Sequence, residues 1–96
     1  MKIIIAKTFK QKLFGLMGKK NINYGMLFPF VNSIHTFFMK ESIDVIGLNQ
    51  NYIITEIHPN IKPNHTLFLT KATHTLELPD NLSKQYKIGQ KININF

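Results

Sequence analysis

The chain has 96 residues, twelve of them lysine and none arginine, against five acidic residues, and it carries a formal net charge of +7 at pH 7. It contains no cysteine, which excludes disulfides, thiolate metal sites and cysteine nucleophiles. No apolar run reaches the roughly 18–20 residues that a membrane-spanning helix needs. This length suits one hydrophobic core, and we expect residues 1–96 to form a single mainly-β domain.

The first predicted elements are a strand and a helix. Residues 2–7 are short and β-branched, which predicts a strand. Thr8 can cap a helix, and Gly18 is a plausible residue to end it. The spacing of the apolar residues between them places one set on a single helical face, namely Phe9, Leu13, Leu16 and Met17. We therefore expect one early α-helix packed on a sheet.

The rest of the chain is predicted to be mostly short strands. Runs of β-branched and aromatic residues bounded by Asn, Pro and Gly predict strands at 26–30, 34–40, 43–48, 52–58, 66–71, 73–78 and 91–96. Pro59 and Pro63 mark an irregular loop, and residues 79–86 can form a helical turn. Seven or eight short strands with one helix predict a compact β-sandwich or a closed β-barrel.

Five short motifs, in order along the chain, resemble the domain-of-unknown-function 192 family. They are Gly15-Leu16-Met17, Gly25-Met26-Leu27-Phe28, Phe38-Met39-Lys40 followed by Ile43-Asp44, Leu76-Glu77-Leu78, and Ile88-Gly89. The resemblance covers nearly the whole chain and implies a compact mainly-β fold with one early helix. It implies no established activity, and many relatives look exported.

The chain departs from the family pattern near the third motif. Phe38 stands where the family usually has tryptophan, and Glu41-Ser42 stands where Asn-Thr usually follows. Gly89-Gln90 stands where the family has Gly-Asp near the end of the domain. Lys12 is the candidate for the basic residue that the family has before the first motif. A ligand shared by the family would therefore meet less stacking area and one more carboxylate in this chain.

A candidate ligand-binding site follows from the most apolar stretch, residues 25–48, where four of the eight phenylalanines surround a few polar groups. We expect the phenylalanines in the core and a site where the charges emerge. Lys40 and Asp44 can form an ion pair that orients a ligand, or one that only fixes a turn. The predicted ligand-binding residues are Phe28, Phe38, Lys40, Asp44 and Glu77.

Glu77 lies between Leu76 and Leu78, so alternation along a strand points its side chain away from both leucines. On a solvent-facing side it has no special role. On a covered side it needs a partner, for which Lys12 or Lys40 would serve.

Three functions remain open. We favour a non-catalytic module that binds a small ligand or a protein partner through an aromatic pocket. A hydrolase-type enzyme using Asp44 and Glu77 is the first alternative, and it requires the two carboxylates to face one cleft. A basic single-stranded nucleic-acid binder is the second alternative. We rank nucleic acid last, because the chain lacks arginine and its aromatic residues are expected to be buried.

We predict no catalytic residue, no metal ligand and no cofactor. The four histidines show no metal-binding spacing, and no serine lies in a nucleophile-elbow context. We expect a monomer or a weak dimer. The location is expected to be cytoplasmic if Met1 is the native start, and exported if a leader has been removed.

Overall fold

The computed structural model describes residues 2–7 and 23–94, and within them seven strands form two sheets. In chain order the strands are β1 (Lys2–Ile5), β2 (Tyr24–Phe28), β3 (Ser33–His35), β4 (Ile43–Leu48), β5 (Ile54–Ile61), β6 (Thr66–Phe68) and β7 (His74–Pro79). A five-stranded sheet has the order β1-β2-β7-β4-β5, and β3 pairs with β6 in a two-stranded ribbon.

The five-stranded sheet is open. β1 pairs with β2 in parallel, and the other pairs in this sheet are antiparallel. β1 and β5 are its two edge strands and do not pair with each other. The mainly-β prediction is confirmed, whereas the closed barrel is wrong for the described residues.

Two apolar clusters cover the two sides of the five-stranded sheet. On one side, Met26, Phe28 and Val45 pack with Ile34 and Leu67 of the ribbon. The other cluster contains the sheet residues Leu27, Ile46 and Leu76. It also contains Leu82, in a 3₁₀ helix (Leu82–Gln85), and Tyr86, which follows that helix. We call these the ribbon side and the 3₁₀ side of the sheet.

β5 carries two irregularities in its pairing with β4. The register shifts between Gly47 and Leu48 and again between Ile43 and Val45. Each shift adds one residue to β5, which is the definition of a β-bulge. The strand therefore continues through Pro59 to Ile61, where the sequence predicted a loop, because a bulge on an edge strand tolerates proline.

Gly47 marks a close approach between β4 and the segments over it. A Cβ atom there would lie 2.6 Å from Cγ of Glu56 and 2.9 Å from Cβ of Ala72. Both distances are shorter than van der Waals contact, so a larger residue would push the covering chain away.

Several predicted boundaries change. The strand predicted at 34–40 ends at His35, since Phe37 and Phe38 form a turn closed by Met39 N–H to Thr36 O at 3.2 Å. The strand predicted at 91–96 contributes an isolated bridge between Lys91 and Ile53. The helical turn predicted at 79–86 is confirmed as the 3₁₀ helix. The early helix predicted from Thr8 lies outside the described residues.

Candidate functional site

Asp44 lies on β4 with its side chain on the 3₁₀ side, and it has no solvent exposure. Its Oδ1 accepts the Asn60 N–H at 2.8 Å, and its Oδ2 accepts the Ser83 N–H at 2.8 Å. The first donor belongs to the bulged part of β5, and the second to the 3₁₀ helix. The carboxylate therefore joins three elements of the fold.

The hydrogen bonds to Asp44 hold its carboxyl group ionised. Burial is the largest influence and would raise its pKa, but the hydrogen bonds together outweigh it. The donors are the Asn60 N–H, the Ser83 hydroxyl and N–H, and the Asn81 N–H, and the pKa lies below its ordinary value of 3.8. Four donors of the protein hydrogen-bond to the two oxygens, so this carboxylate serves the fold.

Glu77 lies on the other side of the sheet from Asp44. In the strand register Glu77 faces Met26 and Val45, both in the ribbon-side cluster. Asp44 faces Leu78, which belongs to the opposite cluster. Cross-strand partners share a face and neighbouring residues alternate, so the two carboxylates point to opposite sides. They cannot flank one substrate bond, so the described residues lack the shared cleft that the hydrolase alternative requires.

The other three residues of the predicted ligand-binding site lie in different environments. Phe28 is buried in the ribbon-side cluster. Phe38 is 77% exposed, and Lys40 is exposed two residues further along. The structure therefore brings Phe38 and Lys40 to one stretch of surface, while Phe28, Asp44 and Glu77 are interior residues.

Exposed aromatic residues lie on the outward side of the ribbon and in the turn after β3. His35 and Phe68 are exposed on β3 and β6, and the His35 and Phe37 rings stack with centroids 5.1 Å apart and an angle of 23°. Phe38, in the turn after β3, is 77% exposed. We call His35, Phe37, Phe38 and Phe68 the aromatic face; the sequence did not reveal it, because Phe37 and Phe38 fit an apolar core stretch.

Phe30, in the loop before β3, is 81% exposed but lies apart from the aromatic face. Its ring contacts His74, whose cross-strand partner Leu48 belongs to the 3₁₀-side cluster.

Two exposed phenylalanines have a backbone conformation that bulky residues rarely adopt. Phe30 has φ 59° and Phe38 has φ 62°, in the left-handed region. Glycine or asparagine is usual at such positions, since a Cβ atom crowds the backbone there. Each phenylalanine is therefore kept at a cost in backbone strain and in exposed apolar surface.

Thr36 fixes the end of β3 to the loop before β6. Its side chain is fully buried, and its hydroxyl donates to Lys62 O at 2.7 Å while accepting the His65 N–H at 2.8 Å. Its backbone N–H donates to His65 O, and its carbonyl accepts the Asn64 N–H. We call these four hydrogen bonds the Thr36 knot. They position the turn that carries Phe37. In the sequence, the only indication of these hydrogen bonds is a single threonine within an apolar run.

His74 is a buried histidine beneath Phe30. Its Nδ1 accepts the Phe30 N–H at 2.9 Å, and the two rings meet edge to face at 4.8 Å. On another side its ring stacks on Tyr52 at 4.7 Å. Burial lowers the pKa of His74 below its ordinary value of 6.5. The imidazole is thus neutral at pH 7, with its proton on Nε2 because Nδ1 is an acceptor.

A groove of about 380 Å³ lies beside the ribbon, between the end of β5 and β6. Its lining combines apolar and polar side chains: Asn60, Ile61, Lys62, His65, Thr66 and Leu67. Lys62 and His65 belong to the Thr36 knot, so the groove borders the turn that carries the Phe37 ring.

The histidines and acids of the described residues form no group of three or more that could hold a metal ion. Glu56 and His58 form a pair at 2.7 Å on β5, and the second oxygen of Glu56 accepts the Lys71 N–H. In the part of the chain that the structure describes, no helix is long and apolar enough to cross a membrane.

The five-stranded sheet, with the ribbon packed on one of its sides, defines a mainly-β protein of two sheets. Residues 1–96 match the domain-of-unknown-function 192 family (DUF192), described as an uncharacterized ACR family. The chain belongs to this family, as its motifs predicted.

Two archaeal relatives support this assignment. The UPF0127 protein PH1112 of Pyrococcus horikoshii is 37% identical over 98 residues, covering 92% of this chain and 83% of the relative. A UPF0127 protein of Thermococcus sibiricus is 37% identical over 62 residues, covering 58% of this chain and 40% of the relative. Neither name carries an activity.

The fold is also found in solved structures. A protein of unknown function from Novosphingobium aromaticivorans superposes with a TM-score of 0.80 at 21% identity, covering 93% of this chain and 71% of the other. A chain from Sinorhizobium meliloti described as a "putative transcription regulator" gives 0.82 at 21% identity, covering 93% and 78%. At this identity the likeness concerns the fold alone.

Proposed function

We propose that this chain is a non-catalytic binding module and that the aromatic face is its binding surface. The observation that carries the proposal is the exposure of Phe38 and Phe68, at 77% and 69%, together with the stacked His35 and Phe37 rings beside them. Single exposed apolar side chains are common on protein surfaces. Several large ones around one small ribbon are typical of an interaction site.

Backbone strain supports the same conclusion. A non-glycine residue in the left-handed region costs on the order of 1–3 kcal/mol, and such residues concentrate at functional sites. Phe38 combines this conformation with high exposure. It does not offset the cost by filling the core, so a role in binding accounts for it.

The proposed surface keeps part of the site predicted from the sequence. Phe38 belongs to it and Lys40 is exposed two residues further along, whereas Phe28, Asp44 and Glu77 are assigned to the interior of the fold. The groove beside β6 extends the surface with the Lys62 and His65 side chains. The hydrolase alternative has no support from the described residues, because Asp44 and Glu77 face opposite sides of the sheet.

Backbone amide NMR with three soluble probes tests the proposal: a nucleoside monophosphate, a disaccharide and a short acidic peptide. We expect at least one probe to shift amide signals in the segments 30–38 and 66–68. Phe68→Ser should weaken that binding, whereas Ile88→Ser, which removes an equally exposed apolar side chain after the 3₁₀ helix, should not. Shifts confined to other segments, or no binding by any probe, would overturn the proposal.

A further inference from the structure

We infer that the occupant of the aromatic face is single-stranded nucleic acid, bound by stacking of bases and by lysine contacts to phosphates. This inference rests on the proposed function and names its partner. Proteins that bind single strands combine exposed aromatic rings with a basic surface, because every base presents a flat π-face and every nucleotide a negative charge.

The stacking elements are present on the ribbon. The His35 and Phe37 rings already stack on each other, with centroids 5.1 Å apart. Phe68, on the strand paired with β3, is 69% exposed. Strands that carry exposed rings are known platforms for unpaired bases. Phe68 pairs with Ser33, two residues before His35 on β3, so Phe68 and His35 share the outward side of the ribbon.

The charges next to the ribbon complement a polyanion. The segments 29–42 and 62–73, which flank β3 and β6, contain three lysines and one acid, Glu41, and one further acid, Glu56 of β5, approaches them by accepting the Lys71 N–H. The lysines are Lys40, Lys62 and Lys71, all exposed. Lys62 also lines the groove beside β6, so a strand crossing the aromatic rings passes a cation at that edge.

Burial of the phenylalanines, expected from the sequence, would have left no rings for bases to stack on. Four of the eight phenylalanines, Phe30, Phe37, Phe38 and Phe68, are exposed instead. The missing arginine still bears on specificity, because arginine supplies most bidentate contacts to bases. We therefore expect binding with little base preference, in which lysines contact phosphates and rings contact bases.

Fluorescence anisotropy with labelled oligothymidylate and oligouridylate of about 15 nucleotides tests the inference, and the two oligomers separate DNA from RNA binding. With about three phosphate contacts, affinity should fall roughly 20-fold between about 50 and 200 mM salt. Phe68→Ser and Phe38→Asn should each weaken binding at least about fivefold, the lower end expected for a lost stacking contact. Ile88→Ser serves as the apolar control.

A charge-matched pair of double variants separates a local site from general attraction to a basic protein. Lys40→Ala with Lys62→Ala removes two charges beside the ribbon. Lys84→Ala with Lys87→Ala removes two charges at and after the 3₁₀ helix, which packs on the other side of the sheet. We expect only the first double variant to lose binding, at least about tenfold at low salt. Equal losses in both would overturn the inference.

Two further probes decide between nucleic acid and other anionic partners. If polyglutamate or vesicles containing phosphatidylserine bind and the oligonucleotides do not, the inference is wrong. The proposed function then still stands, provided that Phe68→Ser weakens that binding. If none of these probes binds and the NMR probes also leave segments 30–38 and 66–68 unchanged, both the inference and the proposed function fail. Circular dichroism of each variant confirms that it is folded.

Discussion

Asp44 accepts the Ser83 N–H at 2.8 Å across 39 positions of sequence, and its other oxygen accepts the Asn60 N–H at the same distance. One buried side chain thus links a bulge of the edge strand to the 3₁₀ helix. The neighbouring motif residue Lys40 lies on the surface instead. Two residues that look like one site in sequence therefore have separate roles.

Replacing Asp44 by asparagine should lower the free energy of unfolding by about 2–4 kcal/mol. The amide removes the charge and turns an NH₂ group toward backbone N–H donors, and charged hydrogen bonds contribute about 1.5–3 kcal/mol each. Urea denaturation at neutral pH measures the loss. Asp80→Asn, at an exposed position before the same 3₁₀ helix, should change stability by less than about 0.5 kcal/mol. Unchanged or increased stability of Asp44→Asn would contradict an anchoring role.

The same carboxylate predicts a loss of stability in acid. Because the folded pKa of Asp44 lies below 3.8, the unfolded chain takes up a proton first as the pH falls. The stabilisation is complete above 3.8 and is lost as the pH falls through 3.8 toward the folded pKa. In Asp44→Asn this part of the pH dependence should be missing. Parallel curves for the variant and the wild type would show that Asp44 contributes nothing to it.

His74 predicts a second pH dependence, at milder acidity. Its folded pKa is below 6.5, so its contribution is present above 6.5 and is lost as the pH falls from 6.5 toward the folded value. His74→Asn keeps an acceptor near the Phe30 N–H but cannot titrate. This variant should be less stable at pH 7, since the stacking with Tyr52 is lost, and its stability should change less between about pH 7 and pH 5. An equally steep curve would contradict the prediction.

Thr36→Val should cost about 1–3 kcal/mol of stability although the side chain keeps its shape. The substitution leaves Lys62 O and His65 N–H without the hydroxyl that pairs with both. Thr66→Val makes the same chemical change at an exposed position on β6 and should be nearly neutral. Equal effects of the two variants in urea denaturation would mean that the Thr36 knot does not hold the turn.

Phe38→Asn should leave stability unchanged or raise it. Asparagine tolerates φ 62° better than phenylalanine does, and a side chain that is 77% exposed contributes little burial. Phe28→Ala, at a buried phenylalanine of the same sequence stretch, should cost about 3–5 kcal/mol. If Phe38→Asn lowered the free energy of unfolding by more than about 1 kcal/mol, Phe38 would be a packing residue and would no longer belong to the proposed binding surface.

The sequence predicts local elements of this fold better than their boundaries. β4 was predicted at 43–48 and has these ends in the structure. The alternation around Glu77 correctly placed that side chain opposite Leu76 and Leu78. The bulge between His58 and Ile61 could not be predicted, because the N–H of Asn60 within it is taken by the Asp44 carboxylate, a contact across 16 positions.

The candidate site was harder to predict than the fold. Phe28 and Phe38 have the same chemistry, and only the turn at Phe37–Phe38 brings the second to the surface. That turn depends on hydrogen bonds between Thr36 and residues 26 to 29 positions later, which no local pattern reveals. Apolar side chains occupy surfaces as well as cores, so residue type alone does not separate the two environments.

The bulges of β5 also protect the protein from unwanted sheet extension. A long, flat edge strand can template pairing with another chain and lead to aggregation. Pro59 supplies no N–H for such a pairing, and the two register shifts twist the strand away from a regular ladder. At the start of β5 the edge is already hydrogen-bonded within the protein, because the Ile54 N–H donates to Gln90 O at 2.9 Å. This basic protein can therefore expose several phenylalanines near its ribbon without also presenting β5 as a template for fibril growth.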